Sequence, residues 1–438
     1  RKVAARFGGG TDLPWRLYAK RFETDPSRLE SGAPLPAGLA RSQAGFRADR
    51  VRGGDQVTFQ GDLYDGKSGQ AGGARGLSGA NLLGRWTRDH GPGSSTRLQG
   101  YWDRTERSQP GVVNDRLDTF DVELQQSSRP AAGHDLLLGA GYRLQNDHLS
   151  NLAPAQLRFQ PASRRLRLWN LFAQDEFRLT QALRLTLGIK AEHNSYTGLE
   201  WLPTARLAWQ AAPRHLLWAS ASRAVRTPSR IDREVFLPTL PLGGADFDSE
   251  VAKVFELGLR SQPRSSVSYS VTLFRHEFDR LRSVDLRPGG SAFGNSHEAR
   301  LTGIESWGSW RLADGWRLQA SYAHERMHLG TRAASVVVPG TIGQLGNSPR
   351  NRARLGLGWD LGRSMDVDLS VRYMGALAAP QVPAYTAVDL RWGWRVRPDL
   401  ELALTVRNLN DPRHPEWGPA GGRAEVPRTV LTKAVWRL

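Results

Sequence analysis

Apolar and polar side chains alternate along much of the chain, and this alternation predicts β-strands. Residues 388–396 read VDLRWGWRV, so one set of alternate positions is apolar while the other carries Asp, Arg and Gly. The same pattern recurs in residues 183–191, 353–361 and 365–373. Successive side chains of a strand point to opposite faces, so each segment has one apolar and one polar face. The Trp, Tyr and Val content also favours strand over helix.

The connections between the predicted strands sort by length. Short connections fall near 8–12, 52–55, 89–94, 129–133, 180–182, 211–214, 262–265, 313–315, 362–364 and 397–399. Longer connections alternate with them, near 25–40, 65–80, 106–118, 147–166, 194–200, 226–251, 283–299, 328–350, 375–384 and 411–427. This alternation is typical of the periplasmic turns and extracellular loops of an outer-membrane barrel.

Two further patterns favour a membrane barrel over a soluble sheet. The apolar faces extend over about 9–11 residues, which is the length a tilted strand needs to cross a bilayer. Trp residues cluster near segment ends, as an interfacial girdle requires, at Trp15, Trp209, Trp310, Trp316, Trp359 and Trp436. No run of 18 apolar residues is present, which excludes a transmembrane helix. We therefore predict an all-β fold, a transmembrane antiparallel β-barrel that occupies residues 1–438.

The strand count adds an expectation about the complete barrel. We count 21 strands, from residues 2–7 to residues 429–438. Single-chain bacterial barrels have even strand numbers, with both ends in the periplasm. If Leu438 ends a downward strand, the first strand also runs downward, so we expect one upward strand before residue 1 and 22 strands in total. Residue 1 is Arg and no signal peptide is visible, so we expect the chain to begin within the structure.

Composition excludes several kinds of chemistry. The chain has no Cys, so disulfides, thiol catalysis and CxxC metal sites are excluded. The net charge is +17 and the sequence pI is about 10.8, values that raise the question of nucleic-acid binding. The basic residues are nearly all Arg, however, and they are spread along the chain at alternating positions. An Arg-rich lumen and loop set explains that distribution better than a nucleic-acid interface, and we predict no nucleic-acid partner.

Residues 324–328 read HERMH and match the HExxH pattern of zinc hydrolases. That chemistry requires a helix, whereas the preceding residues 316–322 alternate as a strand does. On a strand His324 and His328 would lie about 13 Å apart, at ~3.3 Å per residue. No third ligand follows, so we predict neither a metal nor a cofactor nor catalytic residues. We expect instead that His324 and His328 line the outer vestibule near a bound ligand.

Several stretches, taken in order, resemble the TonB-dependent outer-membrane receptors, which import ferric siderophores and vitamin B12. They are LFAQDE at 171–176, LWASASRAVRTPSR at 217–230, LTGIE at 301–305, VRNLND at 406–411, and the closing VPRT at 426–429 and VWRL at 435–438. The resemblance spans the whole chain. It implies a barrel of 22 strands, together with an N-terminal plug and a TonB-interacting segment that these residues do not contain.

The resemblance also implies partners. The terminal strand resembles the signal read by the barrel-assembly machinery, to which Trp436 and Leu438 would contribute. Such barrels usually end in Phe or Trp, so Leu438 departs from the pattern. Energy would come from the TonB complex through the segment outside this chain, and the barrel would be a monomer in contact with outer-membrane lipid.

The function implied is the import of a scarce large ligand, most of all a ferric siderophore. Specificity would come from the loops, where Arg can hold an anionic chelate and aromatic rings can stack on it. The candidate ligand-binding residues in the loops are Tyr196, Trp201, Arg226, Arg230, Arg233, Arg413 and Trp417.

Other functions remain open from the sequence. A receptor for cobalamin or another ligand would share this barrel, and a passive pore would resemble it without its plug. An outer-membrane enzyme such as a barrel phospholipase needs a Ser/His pair on the lipid-facing wall, and we find none in the sequence. A soluble nucleic-acid binder would remain in the soluble fraction, whereas a barrel would be detergent-resistant and heat-modifiable.

Overall fold

The computed structural model describes residues 1–70, 72–237, 243–332, 336–339 and 345–437. One antiparallel sheet of 21 strands makes up most of the molecule, as the alternation predicts. Its members are β1 (Lys2–Gly9), β2 (Trp15–Thr24), β4 (Leu39–Arg52), β5 (Asp55–Ser68), β6 (Arg75–Gly91), β7 (Ser94–Gln109), β8 (Val113–Ser128), β9 (His134–Asn151), β11 (Ser163–Arg178), β12 (Leu183–Asn194), β13 (Gly198–Ala212), β14 (His215–Arg226), β16 (Glu250–Arg264), β17 (Val267–Arg287), β18 (Gly290–Ala313), β19 (Trp316–Thr331), β20 (Asn351–Leu361), β21 (Met365–Met374), β24 (Tyr385–Arg397), β25 (Leu400–Arg407) and β28 (Thr429–Trp436).

The loops carry shorter elements. One helix, α1, spans Arg230–Glu234. Short strands pair within or between loops: β3 (Arg28–Leu29), β10 (Arg158–Phe159), β15 (Val235–Phe236), β22 (Leu377–Ala378), β23 (Gln381–Val382), β26 (Arg413–Pro415) and β27 (Ala424–Pro427). The described residues contain no helix that is long and apolar enough to cross a membrane.

The loop strands show that the large sheet curls back on itself. Each strand of the sheet pairs with the next one along the chain, which makes an up-and-down meander. Near the C-terminus, Ala424 and Glu425 of β27 pair with Leu29 and Arg28 of β3 near the N-terminus. A meander whose first and last loops pair with each other must wrap into a barrel. Within the described residues β1 and β28 do not pair, so the additional strand stays a prediction.

The register separates an apolar outer face from a polar lumen face. Leu257 pairs with Leu273, which pairs with Ile304, so these residues share one face. Leu257 and Leu273 are about half exposed, at 55% and 50%. Apolar side chains so exposed along whole strands face lipid. The alternate positions of the same strands, including Glu256 and Arg260, face the lumen.

The predicted Trp girdle is present at one rim of the barrel. Trp15 and Trp316 begin their strands directly after short connections, and Trp436 ends the last strand. Trp316 stacks on Trp359 of the neighbouring strand, with ring centroids 4.7 Å apart. All the predicted Trp residues lie on the outer face, next to the short turns at the periplasmic rim.

The loop pattern needs a correction. The short turns agree with the prediction, and the predicted connection 65–80 shortens to residues 69–74. Residues 106–118, 194–200 and 283–299 lie mostly in strands. Strands β7 and β8 are joined by 110–112, β12 and β13 by 195–197, and β17 and β18 by 288–289. These hairpins continue beyond the apolar band, so tight turns replace long loops there. The prediction was wrong at these three places because polar residues outside the membrane can still form paired strands.

Candidate functional site: a ligand vestibule

Residues 227–237 and 243–249, which we call the α1 loop, lie on the lumen face of the barrel at its extracellular end. It contains α1, whose N-cap is Ser229. The Ser229 side chain accepts a hydrogen bond from the backbone of Asp232, and the Asp232 carboxylate accepts one from the backbone of Ser229. This reciprocal capping box starts a helix that is too short to be stable alone, so contacts with the barrel wall must hold it.

Arg230 makes most of those contacts. Its guanidinium donates to Asp147 of β9 at 2.5 Å and to Glu234 of α1 at 2.7 Å. It also donates to the carbonyl oxygens of Pro161 and Ala162, in the loop before β11. Only 6% of the Arg230 side chain is exposed. A charge so buried is stable only when it is paired and hydrogen-bonded, and Arg230 meets both conditions.

Tyr196 joins the same network from the turn between β12 and β13. Its hydroxyl donates to Glu234 at 3.0 Å, and Glu234 also pairs with Arg164 of β11 at 3.2 Å. Burial raises the pKa of Tyr196 above its ordinary value, and the neighbouring Glu234 carboxylate raises it further. The phenol therefore stays protonated and acts as a hydrogen-bond donor.

Asp232 is the second anchor of the loop. Its side chain is fully buried and accepts hydrogen bonds from Arg226 at 2.9 Å and from Ser229. Burial by itself raises the pKa of Asp232, but hydrogen bonds from Arg226 and Ser229 outweigh it and hold the pKa below its ordinary value. Arg226 also pairs with Glu250, at the start of β16. The carboxylate of Asp232 thus ties the helix to the ends of two barrel strands.

Arg233 is held less tightly. It donates to the carbonyl oxygen of Phe247 at 2.7 Å and lies 5.3 Å from the centre of the Tyr196 ring. Phe247 is only 1% exposed and anchors the far end of the loop. Four sequence-predicted residues, Tyr196, Arg226, Arg230 and Arg233, therefore lie close together in one network. Most of their polar groups are already bonded to this chain.

Three of the predicted ligand-binding residues lie on the outer face instead. Trp201 shares its face with Leu207 and Trp209 and is 52% exposed. His324 and His328 share theirs with Tyr322 on β19, a strand as expected. Side chains two residues apart on a strand point to the same face, so the outward positions of β19 continue beyond the apolar band. This outward position corrects the expectation that His324 and His328 line the vestibule, and it makes Trp201 an interfacial residue.

The remaining predicted residues lie elsewhere. Arg413 pairs with Glu425 at 3.0 Å across β26 and β27. Trp417 lies in the same loop and is 74% exposed, so its ring is open to solvent. Trp436 donates from its indole to Asp399 at 2.9 Å on the periplasmic rim. Leu438 lies outside the described residues.

The sequence analysis missed a second group of residues, which we call the β4–β7 wall: Arg41, Tyr64, Arg75 and Gln109. Arg41 lies 3.9 Å over the Tyr64 ring. Arg75 donates to Gln109 at 2.9 Å and to Gln70 at 3.0 Å. All four face the lumen near the extracellular rim, and among the described residues neither arginine has an ion pair. These positions alternate with outward residues along their strands, so the sequence could have placed them on the lumen face. Nothing in the sequence, however, indicated a ligand site at that rim.

The described residues hold no group of three or more His, Asp or Glu side chains that are placed to bind a metal ion. The vestibule is instead an arrangement of arginines, carboxylates and aromatic rings. Such a surface binds ligands without chemical change, through charge-assisted hydrogen bonds and ring contacts.

Comparison with known proteins identifies the family. The family model described as TonB dependent receptor-like, beta-barrel matches residues 6–409, which is most of the chain. The chain belongs to the TonB-dependent receptor family. This receptor barrel is 23% identical over 389 residues to the iron-regulated outer membrane virulence protein of Vibrio cholerae (Classical Ogawa 395), covering 79% of this chain and 56% of that protein. It is 23% identical over 303 residues to the ferric enterobactin receptor of Pseudomonas aeruginosa, covering 58% and 39%.

The TonB-dependent receptor barrel thus spans about half the length of the curated relatives it matches. Solved structures agree on the fold. A ferric enterobactin receptor variant from Pseudomonas aeruginosa superposes with a TM-score of 0.80 at 15% identity, covering 99% of this chain and 77% of that one. The FrpB iron transporter from Neisseria meningitidis gives 0.81 at 13%, covering 99% and 78%. The copper transporter OprC gives 0.78 at 14%, covering 99% and 79%. The predicted barrel and its outer-membrane location are confirmed.

Proposed function

We propose that this barrel forms the membrane wall and the ligand-recognition surface of a TonB-coupled importer of a ferric siderophore. The family supports transport rather than catalysis. The relatives' names support iron: one is iron-regulated and another is a ferric enterobactin receptor. The chain's partners would be the TonB complex, the siderophore and outer-membrane lipid, and the barrel would work as a monomer. The barrel-assembly machinery would read the last strand, with Trp436 as part of the signal.

The observation that carries the choice of ligand is the β4–β7 wall. Arg41 and Arg75 face the lumen at the rim without a carboxylate partner, and Tyr64 supplies a ring directly beneath Arg41. Two unneutralised guanidinium groups favour an anionic ligand, and the ring favours a flat or aromatic one. Ferric chelates of aromatic siderophores combine both properties. An uncharged ligand would gain nothing from the two arginines.

The network around α1 has a different part in the proposal. Because Arg226 and Arg230 are already paired with carboxylates, they shape the vestibule floor and do not need a ligand for neutralisation. Tyr196 and Arg233 lie at the edge of that network and would add contacts to the ligand from the α1 loop. The ligand would then sit between the β4–β7 wall and the α1 loop.

Binding of ferric enterobactin to the refolded barrel, followed by quenching of Trp fluorescence, tests the proposal. The double substitution Arg41→Gln and Arg75→Gln should weaken binding at least about a hundredfold, because each lost charge-assisted hydrogen bond costs about 1.5–3 kcal/mol. The matched control is Arg206→Gln with Arg407→Gln, which removes two exposed lumen arginines elsewhere.

Two outcomes would contradict the proposal. If the control pair weakens binding as much as the wall pair, general lumen charge, and not this wall, binds the chelate. If an uncharged ferric hydroxamate binds as tightly as ferric enterobactin, the anionic class of ligand is wrong.

A further inference from the structure

The outer wall of strands β16 to β19 carries basic side chains immediately above the apolar band. Going from the apolar band toward the extracellular side, the outward residue next to Phe255 on β16 is Lys253, and the one next to Leu273 on β17 is Arg275. On β19 the outward residues after Tyr322 are His324, Arg326 and His328, and β18 contributes Arg300. We call Lys253, Arg275, Arg300 and Arg326 the outer-wall cation cluster.

Strand register brings the cluster together. In the strand register, Lys253 lies opposite Glu277, Glu277 opposite Arg300, and Arg300 opposite His328, so these four residues form one row across the strands. In the next row toward the membrane, Arg275 lies opposite Thr302 and Thr302 opposite Arg326 in the strand register. A shallow cavity of about 440 Å³ opens in the upper row, lined by Lys253, Glu277, Glu298, Arg300 and His328 among others.

Most of the cluster's charge is uncompensated. Arg275 pairs with Glu277 at 2.5 Å. Lys253, Arg300 and Arg326 are exposed and have no ion pair or side-chain hydrogen bond within the described part of the chain. The cavity beside the cluster is lined by three carboxylates, Glu277, Asp279 and Glu298, and Asp279 pairs with Arg332 at 3.6 Å. The four cations of the cluster therefore face two further carboxylates, and positive charge remains.

A second outward group offers a contrast on the same barrel. On β7 and β8, Arg104 and Arg116 also lie above the apolar band, but both pair with Asp118, at 2.7 and 3.3 Å. Above the band on β4 and β6, the outward residues include Ser42 and Ser78. Lys67 on β5 and Arg165 and Arg167 on β11 also point outward at this level without an ion pair in the described part of the chain. Strands β16 to β19 bring together three such cations, and two of them, Lys253 and Arg300, line one cavity.

We propose that the outer-wall cation cluster binds the phosphorylated headgroup of an anionic glycolipid in the outer leaflet. Lipid chains would lie against Phe255, Leu257 and Leu273, and the first polar level above them is the cluster itself. A phosphate there accepts charge-assisted hydrogen bonds from guanidinium and ammonium groups. Basic residues at this height suit an anionic lipid surface. The site rests on the outer-membrane location and does not depend on which ligand the barrel imports.

The test uses the refolded barrel in phosphatidylcholine vesicles with and without bisphosphorylated lipid A, and measures the temperature of heat-induced unfolding on gels. Lipid A should raise that temperature for the native barrel, and the rise should shrink as salt increases. The triple variant Lys253→Gln, Arg300→Gln, Arg326→Gln should bind lipid A about a hundredfold more weakly, since each cation near an anionic surface contributes roughly a factor of five.

The matched control is Lys433→Gln, Arg206→Gln, Arg407→Gln, which removes the same residue types from the lumen face. It should keep the full response to lipid A, and both variants should show the unfolding temperature of the native barrel in phosphatidylcholine alone. A triple outer-wall variant that keeps the full response would overturn the site. Equal stabilisation by dephosphorylated lipid A would overturn the phosphate headgroup as occupant. If inorganic phosphate alone gives the same rise, the cluster binds free anions and the lipid assignment is wrong.

Discussion

The α1 loop inside the barrel mouth and the outer-wall cation cluster both contain basic side chains. Those of the α1 loop are mostly paired with carboxylates, whereas most of those in the cluster are exposed and have no ion pair. Arg230 is 6% exposed and is surrounded by Asp147, Glu234 and two carbonyl oxygens. Lys253 and Arg300 are exposed and have no partner in the described residues. An unpaired charge is costly when buried and inexpensive in water. Buried arginines therefore hold this structure together, whereas exposed ones remain free for a ligand.

The contrast extends to the two walls of the vestibule. Both carry arginines over aromatic rings: Arg41 lies over Tyr64, and Arg233 over Tyr196. On the α1 side, however, the neighbouring carboxylates Asp232 and Glu234 neutralise the basic groups around them. The β4–β7 wall has no such partners among the described residues. A side chain's residue type alone thus does not show whether it recognises a ligand; its partners within the chain decide.

The largest effect should follow Arg230→Ala. This change removes the cation beside the largely buried Asp147 and one of the two arginines that pair with Glu234, which costs about 3–5 kcal/mol. Hydrogen exchange at the amides of Gln160 and Arg233, which bond to Glu234 and Ser229 carbonyls, would report the opening. The control Arg233→Ala removes one hydrogen bond to a carbonyl and should cost about 1 kcal/mol. Unchanged exchange in Arg230→Ala would show that the buried pairs do not hold the loop.

Acid should loosen the α1 loop more than the outer wall. The folded pKa of Asp232 lies below its ordinary value of 3.8, so its contribution is complete above that value and is lost as pH falls through the folded pKa. Exchange rates in residues 230–236, compared between pH 6 and pH 3 after correction for intrinsic rates, would measure this. Asp232→Asn should abolish that response. Lys253 and Arg300 have no ion pair to lose among the described residues, so exchange on β16 and β18 should change less.

The smallest effect should follow Lys253→Gln combined with Arg300→Gln in phosphatidylcholine vesicles. Neither side chain has a partner to lose, so unfolding free energy should change by less than about 0.5 kcal/mol. Urea unfolding monitored by Trp fluorescence measures it. A loss of several kcal/mol would mean that these cations stabilise the barrel itself, and the contrast with Arg230 would disappear.

Much of the barrel could be predicted because a strand repeats every two residues. The alternation in residues 388–396 placed β24, and the Trp residues beside short turns placed the periplasmic girdle. The same rule, continued two residues past Tyr322, places His324 on the outer face. The prediction that His324 lines the vestibule was wrong because it did not extend the alternation beyond the apolar band. The sequence analysis did not use the capping box at Ser229 and Asp232, although Ser followed three residues later by an acid marks a helix start.

The site was harder to predict, since loops have no period. Tyr196 and Glu234 are 38 positions apart, and Arg230 and Asp147 are 83 apart. Nothing local in the sequence links these partners. The extension of β7, β8, β17 and β18 past the apolar band was missed for a related reason: polar hairpins carry no alternation of apolar and polar residues.

The sequence by itself determined that this protein is an antiparallel barrel in the outer membrane, which side chains of each strand face lipid, and where the short turns lie. Those properties depend on neighbours within a few residues and on the fixed geometry of a strand. Only the tertiary structure decided which arginines are neutralised and which are free. That outcome depends on carboxylates brought close by the closing of the barrel and by the folding of residues 227–237 and 243–249 into its mouth, because the energy of a charge is set by what surrounds it in space.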